Sequence, residues 1–365
     1  MSNTPTLIFT GGHHTSALVV ANLLKKNGWN IIWIGHKYSM WGDSSPSAEY
    51  REVTESGIEF IELRAGKLHN TYNPQKLLRV PFGFFQSFQI LKKIKSTHKD
   101  GLKGIISFGG YLGVPVVFCG WMLGLPTVSH EQTTVAGWAN KFISLFAQKI
   151  AVTWPRSLEL YPKSKTELTG LPLREEILSE LKRLPEREKK IYITGGKQGS
   201  HIINQTIFSI LGDLLNQFQV VHQTGSSTLY ADYAEALKIK AALDEKQKNK
   251  YRVFEYLDAK SAAHNISTAQ IVVGRSGAHI TYELAVTGTR SVLIPIPWSS
   301  HNEQLNNAQV LRDKNLAVVV QQSDLNGRTL MESINKAGQL KVSELQLPLD
   351  GAERMVHLIE EVFKK

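Results

Sequence analysis

The stretch that decides the fold is Ile191-Tyr192-Ile193-Thr194-Gly195-Gly196-Lys197-Gln198-Gly199-Ser200. A short apolar strand runs into a glycine turn, and residues 201–215 then have helical spacing. Glycines let the backbone approach an anion, and a helix start directs free N–H groups and its positive dipole end at it. The stretch therefore predicts a β–turn–α unit with a phosphate cradle. A tight turn that binds nothing is the alternative.

The same order of strand, glycine turn and helix recurs on both sides of this unit. Upstream, strands are predicted at 6–10, 29–35, 58–63, 104–108, 127–129 and 149–153, with helices at 17–26 and 75–95. Downstream, strands are predicted at 218–223, 252–254, 271–273, 291–295 and 318–321. Such alternation is typical of parallel sheets with helices on both faces. The charged segment 183–190 is the predicted linker between two doubly wound domains, with ligands in the cleft between them.

Length and composition agree with two globular domains. The chain has 365 residues, and domains average roughly 150 residues. With 42% hydrophobic and 20% charged residues, a disordered chain is excluded. The single cysteine, Cys119, excludes a disulfide framework and a cysteine-based zinc site, and is consistent with a reducing compartment. The first residues lack the basic region of a signal peptide, so we expect a cytoplasmic protein.

One uncharged stretch, between Lys103 and Glu131, is long enough to cross a bilayer. It contains six glycines and two prolines, however, which divide it into shorter pieces. We therefore predict strand 105–108, a turn at Gly109-Gly110-Tyr111, a buried helix and strand 127–129. A membrane span is the alternative.

Positive charge is concentrated in the first half of the chain. The net charge is +10, and residues 1–175 hold 19 Lys/Arg against 11 Asp/Glu. Residues 67–103 alone hold eight basic residues and one acid, Asp100. Such a segment attracts an anionic partner: nucleic acid, a lipid surface or a phosphorylated substrate.

Two further turns carry residues able to do chemistry. In Thr10-Gly11-Gly12-His13, the histidine has a pKa near working pH and is a candidate base for an attacking hydroxyl. A helix-capping or exposed histidine is the alternative. After strand 271–273, the turn beginning at Arg275 leads into a helix that carries Glu283. A carboxylate there can accept both hydroxyls of a ribose, although a solvated helix face is equally compatible.

The loop at Asn302-Glu303-Gln304 has the amides and carboxylate that bind sugar hydroxyls, or is an ordinary polar loop. Several catalytic motifs are absent, namely G-x-G-x-x-G, the P-loop, G-x-S-x-G, H-E-x-x-H and C-x-x-C. The sequence also lacks Asp-x-Asp, so it has no evident magnesium clamp for a nucleotide diphosphate. A leaving diphosphate would then be stabilised by backbone N–H groups, helix dipoles and bases such as Lys197 or Arg174.

Taken together, these turns resemble the MurG family of peptidoglycan glycosyltransferases. The matching segments, in chain order, are Gly11-Gly12-His13, Gly109-Gly110-Tyr111, His130-Glu131-Gln132, Thr169-Gly170-Leu171-Pro172-Leu173-Arg174, Gly195–Ser200, His222-Gln223-Thr224-Gly225, Arg275-Ser276-Gly277-Ala278 with Glu283, and Asn302-Glu303-Gln304 with Asn307-Ala308. The resemblance covers nearly the whole chain. This family moves N-acetylglucosamine from UDP-N-acetylglucosamine onto undecaprenyl-pyrophosphoryl-N-acetylmuramyl-pentapeptide, which forms lipid II.

The resemblance implies a GT-B fold of class α/β: two Rossmann-like domains facing across a cleft. The acceptor-binding domain would be residues 1–175 and the UDP-sugar domain residues 176–350, with helix 351–365 packing back on the first domain. Transfer would be inverting and metal-independent, with no cofactor besides the donor substrate.

The resemblance also implies roles for individual residues. His13 takes the place of the family's base, Glu283 that of the ribose carboxylate, and Leu257 lies near the uracil-contacting backbone. The donor side would further include Gly195, Gly196, Lys197, Gln198, Gly199, Ser200, Arg174, Ser276, Gly277, Ala278, Glu303 and Gln304. The acceptor side would include Thr10, Gly11, Gly12, His14, Gly109, Gly110, Tyr111, His130, Glu131, Gln132 and Thr133.

The chain departs from the family pattern mainly on the acceptor side. Ile8 and Phe9 replace two glycines of the family's first loop, Thr133 replaces an asparagine, and Leu171 replaces another. UDP-N-acetylglucosamine as donor is therefore better supported than the acceptor. A GT-B enzyme with another acceptor, a nucleotide-sugar epimerase and a non-catalytic UDP-sugar-binding homologue remain alternatives.

The basic segment fits a membrane-docking role in this context. Arg79, Phe82, Phe84 and Phe85 precede Lys92, Lys93 and Lys95, and such a mixture docks onto anionic inner-leaflet lipids. We expect a peripheral protein at the cytoplasmic face of the cell membrane, close to a polyprenyl-pyrophosphate-linked acceptor. In the alternative, Phe84, Phe85 and Phe88 are core residues and the lysines a solvated face. No recognised nucleic-acid motif accompanies the charge, so nucleic acid is not an expected partner.

Overall fold

Two compact units make up the protein. The computed structural model describes residues 4–38, 46–66, 79–99, 101–183, 185–227, 229–343 and 345–363. The first unit comprises Met1–Leu173 and Pro348–Lys365, and the second comprises Arg174–Leu347. Each is built on one parallel sheet, which confirms the predicted α/β class with two Rossmann-like domains.

The first unit has a seven-stranded sheet in the order β3-β2-β1-β4-β5-β6-β7. Its strands are β1 Thr6–Gly11, β2 Asn30–Gly35, β3 Glu59–Glu62, β4 Leu102–Phe108, β5 Thr127–Glu131, β6 Lys149–Val152 and β7 Thr166–Leu168. Its helices are α1 His14–Lys26, α2 Ala48–Glu55, α3 Arg79–His98, α4 Gly110–Met122, α5 Trp138–Phe146 and, from the chain's end, Gly351–Phe363. Short 3-10 turns lie at Pro155–Leu160 and Lys163–Lys165. Of the predicted helix 75–95, residues 75–78 lie outside the described residues.

The core of this unit lies on both faces of its sheet. On one face the rings of Phe9 and Trp33 stack with centroids 5.9 Å apart, and Met355 and Leu358 from the C-terminal helix join the same apolar cluster. Ile8 points into the cluster on the other face. The two family glycines are thus replaced by buried strand residues, and the turn itself begins only after them.

The second unit has a six-stranded sheet in the order β10-β9-β8-β11-β12-β13. Its strands are β8 Glu188–Thr194, β9 Gln219–Gln223, β10 Tyr251–Phe254, β11 Ala269–Gly274, β12 Arg290–Leu293 and β13 Ala317–Val319. Its helices are α6 Glu175–Arg183, α7 His201–Gln217, α8 Asp232–Ala242, α9 Glu245–Lys250, α10 Ala259–Thr268, α11 Ala278–Thr287, α12 Glu303–Arg312 and α13 Gly327–Gly338. The helix Gly351–Phe363, which belongs to the first unit, is numbered α14. Short 3-10 turns lie at Ser300–Asn302 and Gln322–Asp324.

The linker prediction for residues 183–190 is wrong. This segment lies inside the second unit, where it joins α6 to β8. The guanidinium of Arg187 donates to the carbonyl of Ser267 (2.6 Å) and to the hydroxyl of Thr289 (2.7 Å). The run of charged residues suggested an exposed segment. Arg187, however, is hydrogen-bonded to acceptors that are far away in the sequence.

The uncharged stretch between Lys103 and Glu131 forms β4, α4 and β5, as predicted. Leu112, Val116 and Val117 of α4 are buried in the core of the first unit. Across the described ranges, no helix is long and apolar enough to span a membrane.

Candidate functional site

Both sheets reverse their strand order at one point, between β1 and β4 in the first unit and between β8 and β11 in the second. At such a point successive crossovers leave on opposite faces, and a crevice opens at the carboxyl ends of the strands. The predicted glycine turns follow these four strands. Each unit therefore brings two of its predicted turns together.

In the first unit the two turns are joined through their backbones. The N–H of Gly12 donates to the carbonyl of Gly109 at 3.0 Å. Gly11 has φ of +137°, and a Cβ there would lie 2.6 Å from the carbonyl carbon of Phe108. Gly110 has φ of +75°, and a Cβ there would lie 3.2 Å from the backbone nitrogen of Gly12. Glycine is required because each backbone occupies the space that a side chain would need.

The two histidines after this turn have different surroundings. His13 precedes α1 and is half-buried, and burial, helped by the neighbouring His14, lowers its pKa to about 4. The imidazole is therefore neutral at pH 7 and able to accept a proton. In contrast, Nε2 of His14 lies 3.1 Å from a carboxylate oxygen of Glu52. The ring of Tyr111, at the start of α4, lies 5.7 Å from that of His36.

Glu131, at the end of β5, is buried and fully engaged. Its Oε1 accepts from the N–H (3.0 Å) and hydroxyl (2.9 Å) of Thr133. Its Oε2 accepts from the amide of Asn140 (2.6 Å) and the hydroxyl of Tyr161 (2.7 Å). Burial raises the pKa of this carboxyl, and the four hydrogen bonds oppose that rise. Asn140 also accepts from the N–H of Gly110 at 3.1 Å. Glu131, which Thr133 also contacts, therefore supports this turn through Asn140 and does not lie in the turn itself.

Among the buried polar atoms of this unit that have no hydrogen-bond partner in the described residues, three belong to predicted acceptor residues: Oγ1 of Thr10, Nδ1 of His130 and Oε1 of Gln132. Nε2 of His130 lies 3.2 Å from the carbonyl of Gly170, which can only accept, so Nε2 carries the hydrogen and Nδ1 is a bare acceptor. Burial lowers the pKa of His130 to about 4. Buried polar atoms are normally paired, so a bound polar molecule or water suits this position.

In the second unit, the loop Gly195–Ser200 lies between β8 and α7. Gly196 and Gly199 have φ of +84° and +81°. A Cβ on Gly199 would overlap the carbonyl oxygen of Thr224, and Gly225 packs against the same glycine. The loop is therefore pressed against the turn that follows β9, while Lys197 and Gln198 are exposed.

Three side chains outside this loop hold it. The amide of Gln223 donates to the carbonyl of Gly196 (3.0 Å), and the hydroxyl of Ser226 donates to that of Lys197 (3.2 Å). The guanidinium of Arg275, which follows β11, donates to the hydroxyl of Ser200 at 2.8 Å. Because these carbonyls accept hydrogen bonds from neighbouring side chains, the remaining N–H groups of the loop and the start of α7 can present positive partial charge to an anion.

Glu283 is not on a solvated helix face. It lies in α11, is 2% exposed and forms an ion pair with Arg174, with Nη2 2.6 Å and Nε 3.1 Å from Oε1. Burial raises the pKa of this carboxyl, and the arginine opposes the rise. Two residues predicted to bind different parts of a nucleotide are thus brought into direct contact.

The turn after β11 is held against the start of α12. The hydroxyl of Ser276 donates to the carbonyl of Gln304 (2.8 Å), and the amide of Asn307 donates to the carbonyl of Ser276 (3.2 Å). The side-chain oxygen of Gln304 accepts from the N–H of Ile296 at 3.1 Å, so its NH2 group is the part left for a ligand. Glu303 is the first residue of α12, Gly277 is the N-cap residue of α11 and Ala278 its first residue, and Leu257 is buried after β10. All these segments follow carboxyl ends of parallel strands, at one edge of the sheet.

The predicted membrane-docking residues lie on α3. Phe82 and Phe85 are 52% and 60% exposed, and Lys92 and Lys93 are exposed on the following turns. Phe84 instead packs edge-on against Phe118 at 5.6 Å, so it belongs to the core.

Two further features lie near these residues. Lys95 donates to the carbonyl of Leu123 at 2.6 Å. Trp121 and Met122, at the end of α4, are also exposed. Arg79 opens α3, and its side chain lies outside the described residues.

Sequence reasoning missed several residues that build these sites, among them Asn140, Tyr161, Tyr192 and Ser226. They act through contacts between segments 9 to 31 residues apart and belong to no local motif. In the described part of the chain, no group of three or more His, Cys, Asp or Glu side chains is arranged to hold a metal ion.

Comparison with known proteins agrees with this geometry. Residues 7–152 match the N-terminal domain model of glycosyltransferase family 28, and residues 190–347 match its C-terminal domain model. A protein of Clostridium perfringens is 31% identical over 342 residues, covering 90% of this chain and 88% of its own. It is named UDP-N-acetylglucosamine–N-acetylmuramyl-(pentapeptide) pyrophosphoryl-undecaprenol N-acetylglucosamine transferase. This chain belongs to the MurG family. Like its relatives, it is a glycosyltransferase.

Other MurG family members and solved structures agree. A relative from Desulfitobacterium hafniense with the same name is 33% identical over 338 residues, covering 88% of this chain and 86% of its own. The crystal structure of Acinetobacter baumannii MurG superimposes with a TM-score of 0.69 at 22% identity, covering 98% of this chain and 99% of that one. UDP-GlcNAc 2-epimerase of Neisseria meningitidis, bound to UDP-GlcNAc, gives 0.63 at 12% identity over 98% of this chain and 100% of its own. These likenesses show the GT-B fold.

Proposed function

We propose that this protein transfers N-acetylglucosamine from UDP-N-acetylglucosamine to an undecaprenyl-pyrophosphoryl-N-acetylmuramyl-peptide, and so forms lipid II. The observation that carries the proposal is the second unit's reversal point, where the glycine loop Gly195–Ser200 and the buried carboxylate of Glu283 follow neighbouring strands. Loop N–H groups suit a diphosphate, and a buried carboxylate suits ribose hydroxyls. The names of the relatives from Clostridium perfringens and Desulfitobacterium hafniense give the same donor and acceptor.

The proposed reaction is inverting and needs no metal ion. The acceptor hydroxyl attacks the anomeric carbon of the sugar, His13 takes the hydroxyl proton, and UDP leaves. A neutral imidazole is needed for this step, and His13, whose pKa is lowered by burial, is neutral at pH 7. The negative charge that develops on the diphosphate is stabilised by the loop N–H groups and the dipole of α7.

The acceptor is proposed to bind at the carboxyl edge of the first unit's sheet. The unpaired buried atoms of Thr10, His130 and Gln132 support this position, since each can exchange a hydrogen bond with a polar ligand. The lipid tail requires the enzyme to reach a membrane. We propose that Phe82, Phe85, Lys92 and Lys93 dock the protein on anionic lipids of the cytoplasmic face.

Product analysis tests the proposed function. The purified protein is incubated with UDP-N-acetylglucosamine and a lipid-linked muramyl-pentapeptide, with and without a chelator. We expect mass spectrometry to show one N-acetylhexosamine added to the acceptor, undiminished by the chelator, and NMR to show a β linkage from the α-linked donor. Release of N-acetylmannosamine would instead identify an epimerase, and UDP binding without turnover a non-catalytic homologue.

A further inference from the structure

A buried polar relay connects the interior of the second unit to its glycine loop. Tyr192 lies in β8 and is 2% exposed, and its hydroxyl lies 3.1 Å from Oε1 of Gln223, the last residue of β9. Nε2 of Gln223, which is 4% exposed, lies 3.0 Å from the carbonyl oxygen of Gly196. The three groups form one line of hydrogen bonds from the core to the loop.

The chemistry of the three groups determines the direction of both hydrogen bonds. A carbonyl oxygen can only accept, so the NH2 group of Gln223 must face Gly196. The amide oxygen then faces Tyr192, whose hydroxyl must donate to it. Burial raises the pKa of Tyr192 to about 12, so the hydroxyl keeps its proton across the neutral range. Tyr192 therefore holds the Gln223 amide in the orientation that lets it donate to the loop.

The carbonyl of Gly196 accepts two hydrogen bonds that fix its orientation in the loop. Gly196 has φ of +84°, and its carbonyl also accepts from the N–H of Gly199 at 3.1 Å. Together these two hydrogen bonds turn the carbonyl oxygen into the protein. A carbonyl directed at the ligand would place negative partial charge against a diphosphate, whereas the present orientation leaves N–H groups to face it. If the Gln223 amide were reversed, its oxygen would face the Gly196 oxygen and repel it.

We propose that Tyr192 and Gln223 are positioning residues for the donor diphosphate, and that Tyr192 acts through Gln223. This inference rests on the proposed use of Gly195–Ser200 as a diphosphate loop. Neither side chain is assigned to touch the ligand. We expect their effect to fall mainly on the phosphates, because the hydrogen bonds of the relay end on the loop backbone.

The test compares the affinity of UDP with that of uridine, by titration calorimetry and ligand-observed NMR. Gln223→Met removes the donor to Gly196, and we expect UDP affinity to fall about tenfold while uridine affinity stays within about twofold. Tyr192→Phe removes only the hydroxyl that orients the amide, and we expect a fall of about threefold for UDP alone. General damage to the fold would weaken both ligands and leave their ratio unchanged, which would overturn the inference.

Two further variants separate the relay from ordinary burial. Gln223→Leu also removes the donor, so it must show the same selective loss if Gln223→Met folds poorly. Tyr251→Phe is the matched control, since Tyr251 is also buried and its hydroxyl bonds Nδ1 of His222 at 3.0 Å. We expect Tyr251→Phe to leave the UDP-to-uridine ratio unchanged. If the ratio of UDP affinity to uridine affinity falls as much in this control as in Tyr192→Phe, the inference is overturned.

A double-mutant cycle tests whether Tyr192 acts through Gln223. The double variant should lose no more UDP affinity than Gln223→Met alone, because the hydroxyl then has no amide to orient. Additive losses would overturn the role assigned to Tyr192. If the wild-type protein binds UDP no more tightly than uridine, the proposed diphosphate loop itself fails. If wild type prefers UDP and Gln223→Met keeps that preference, only the present inference fails.

Discussion

Adjacent residues in the sequence can receive different chemistry from the fold, and His13 and His14 are an example. His13 lies in the turn after β1, where burial lowers its pKa to about 4 and leaves it neutral. His14, one position on, begins α1 and faces the carboxylate of Glu52 at 3.1 Å. Only the first has the properties of an available base.

We therefore expect His13→Ala to lower kcat by about 10²–10⁴, the usual contribution of a general base. UDP affinity should stay near wild type, because the proposed donor residues belong to the other unit. His14→Ala is the matched control and should cost much less. Steady-state kinetics on a verified acceptor, with UDP titration, make the measurement. Equal and small losses in the two variants would contradict the role of His13.

The lowered pKa of His13 also predicts the acid limb of the rate profile. Because the base must be neutral, kcat/KM should stay level as pH falls through 6.5, the ordinary histidine value, and decline only towards about 4. The folded pKa lies below the unfolded one, so His13 also reduces stability as pH falls through the same range. Melting temperatures recorded alongside the rates identify where the fold persists. A half-maximal rate near pH 6.5 with the fold intact would contradict the lowered pKa of His13.

Glu283 offers a third test at this scale. If its carboxylate holds the ribose, Glu283→Ala should weaken UDP binding about 5- to 150-fold, since a lost charged hydrogen-bond partner costs about 1–3 kcal/mol. Loss of the ion pair with Arg174 is a separate structural effect, so 2′-deoxy-UDP serves as the control ligand. Wild type should prefer UDP over the deoxy analogue, and the variant should lose that preference. Unchanged UDP affinity in a folded variant would remove the assignment.

At the scale of elements, α3 combines a core face and an exposed face. Leu91 and Ile94 are buried, while Lys92 and Lys93 between them point outward. This helical spacing explains why aromatic and basic residues interleave in the sequence yet separate in space. Phe84 packs in the core and Phe85 is exposed on the surface. The spacing of the residues in the sequence did not determine which of the two is buried.

Reversing the exposed charges of α3 should weaken membrane docking. We expect Lys92→Glu with Lys93→Glu to reduce binding to anionic vesicles, since each lysine near the surface contributes about 1 kcal/mol. The difference from wild type should shrink at high salt, which screens the attraction. Co-sedimentation with vesicles makes the measurement. The control is Lys238→Glu with Lys246→Glu, at exposed positions of the second unit, which changes the net charge equally. We expect this control pair to bind vesicles more strongly than the α3 pair does. Vesicle binding that is insensitive to salt and to both pairs would mean that α3 presents only solvated surface.

At the scale of the whole molecule, the two ends of the chain build the first unit together. Helix α14 returns after the second unit is complete, and its Leu358, Ile359 and Phe363 enter the same cluster as Leu7 and Phe9. The ring of Phe363 lies against Gly104 of β4, where a Cβ would collide with it. The first unit therefore depends on residues more than 170 positions beyond its last strand.

This dependence predicts where a C-terminal mutation is felt. Leu358→Ala should destabilise the first unit by about 2–5 kcal/mol, the usual cost of truncating a buried leucine. Hydrogen-exchange mass spectrometry should show lost protection in β1 and α1, with β8 and α7 unaffected. Leu330→Ala, equally buried in α13, is the control and should give the opposite pattern. Uniform loss across both units in either variant would contradict independent cores.

The sequence by itself determined the class of fold and the positions of the key turns. The periodicity of apolar residues in strands and the positions of glycines in turns are local properties of the sequence. They suffice to place strands such as β1 and β8 and the loop Gly195–Ser200. The resemblance carried by ordered short motifs also indicated the family, which the comparisons confirmed. Helices α2 and α5 and strand β7 carried weaker signals and were missed.

Only the tertiary structure decided which residues meet. The Arg174–Glu283 pair joins positions 109 residues apart, and Tyr192, Gln223 and Gly196 meet because β8 and β9 are neighbours in the sheet. The burial that sets the pKa values of His13 and Glu131 likewise comes from packing between distant elements. Local sequence encodes backbone preference, whereas contact and desolvation depend on how the elements pack. The position of the loop at 195–200 was therefore predicted correctly, while the linker prediction at 183–190 was wrong.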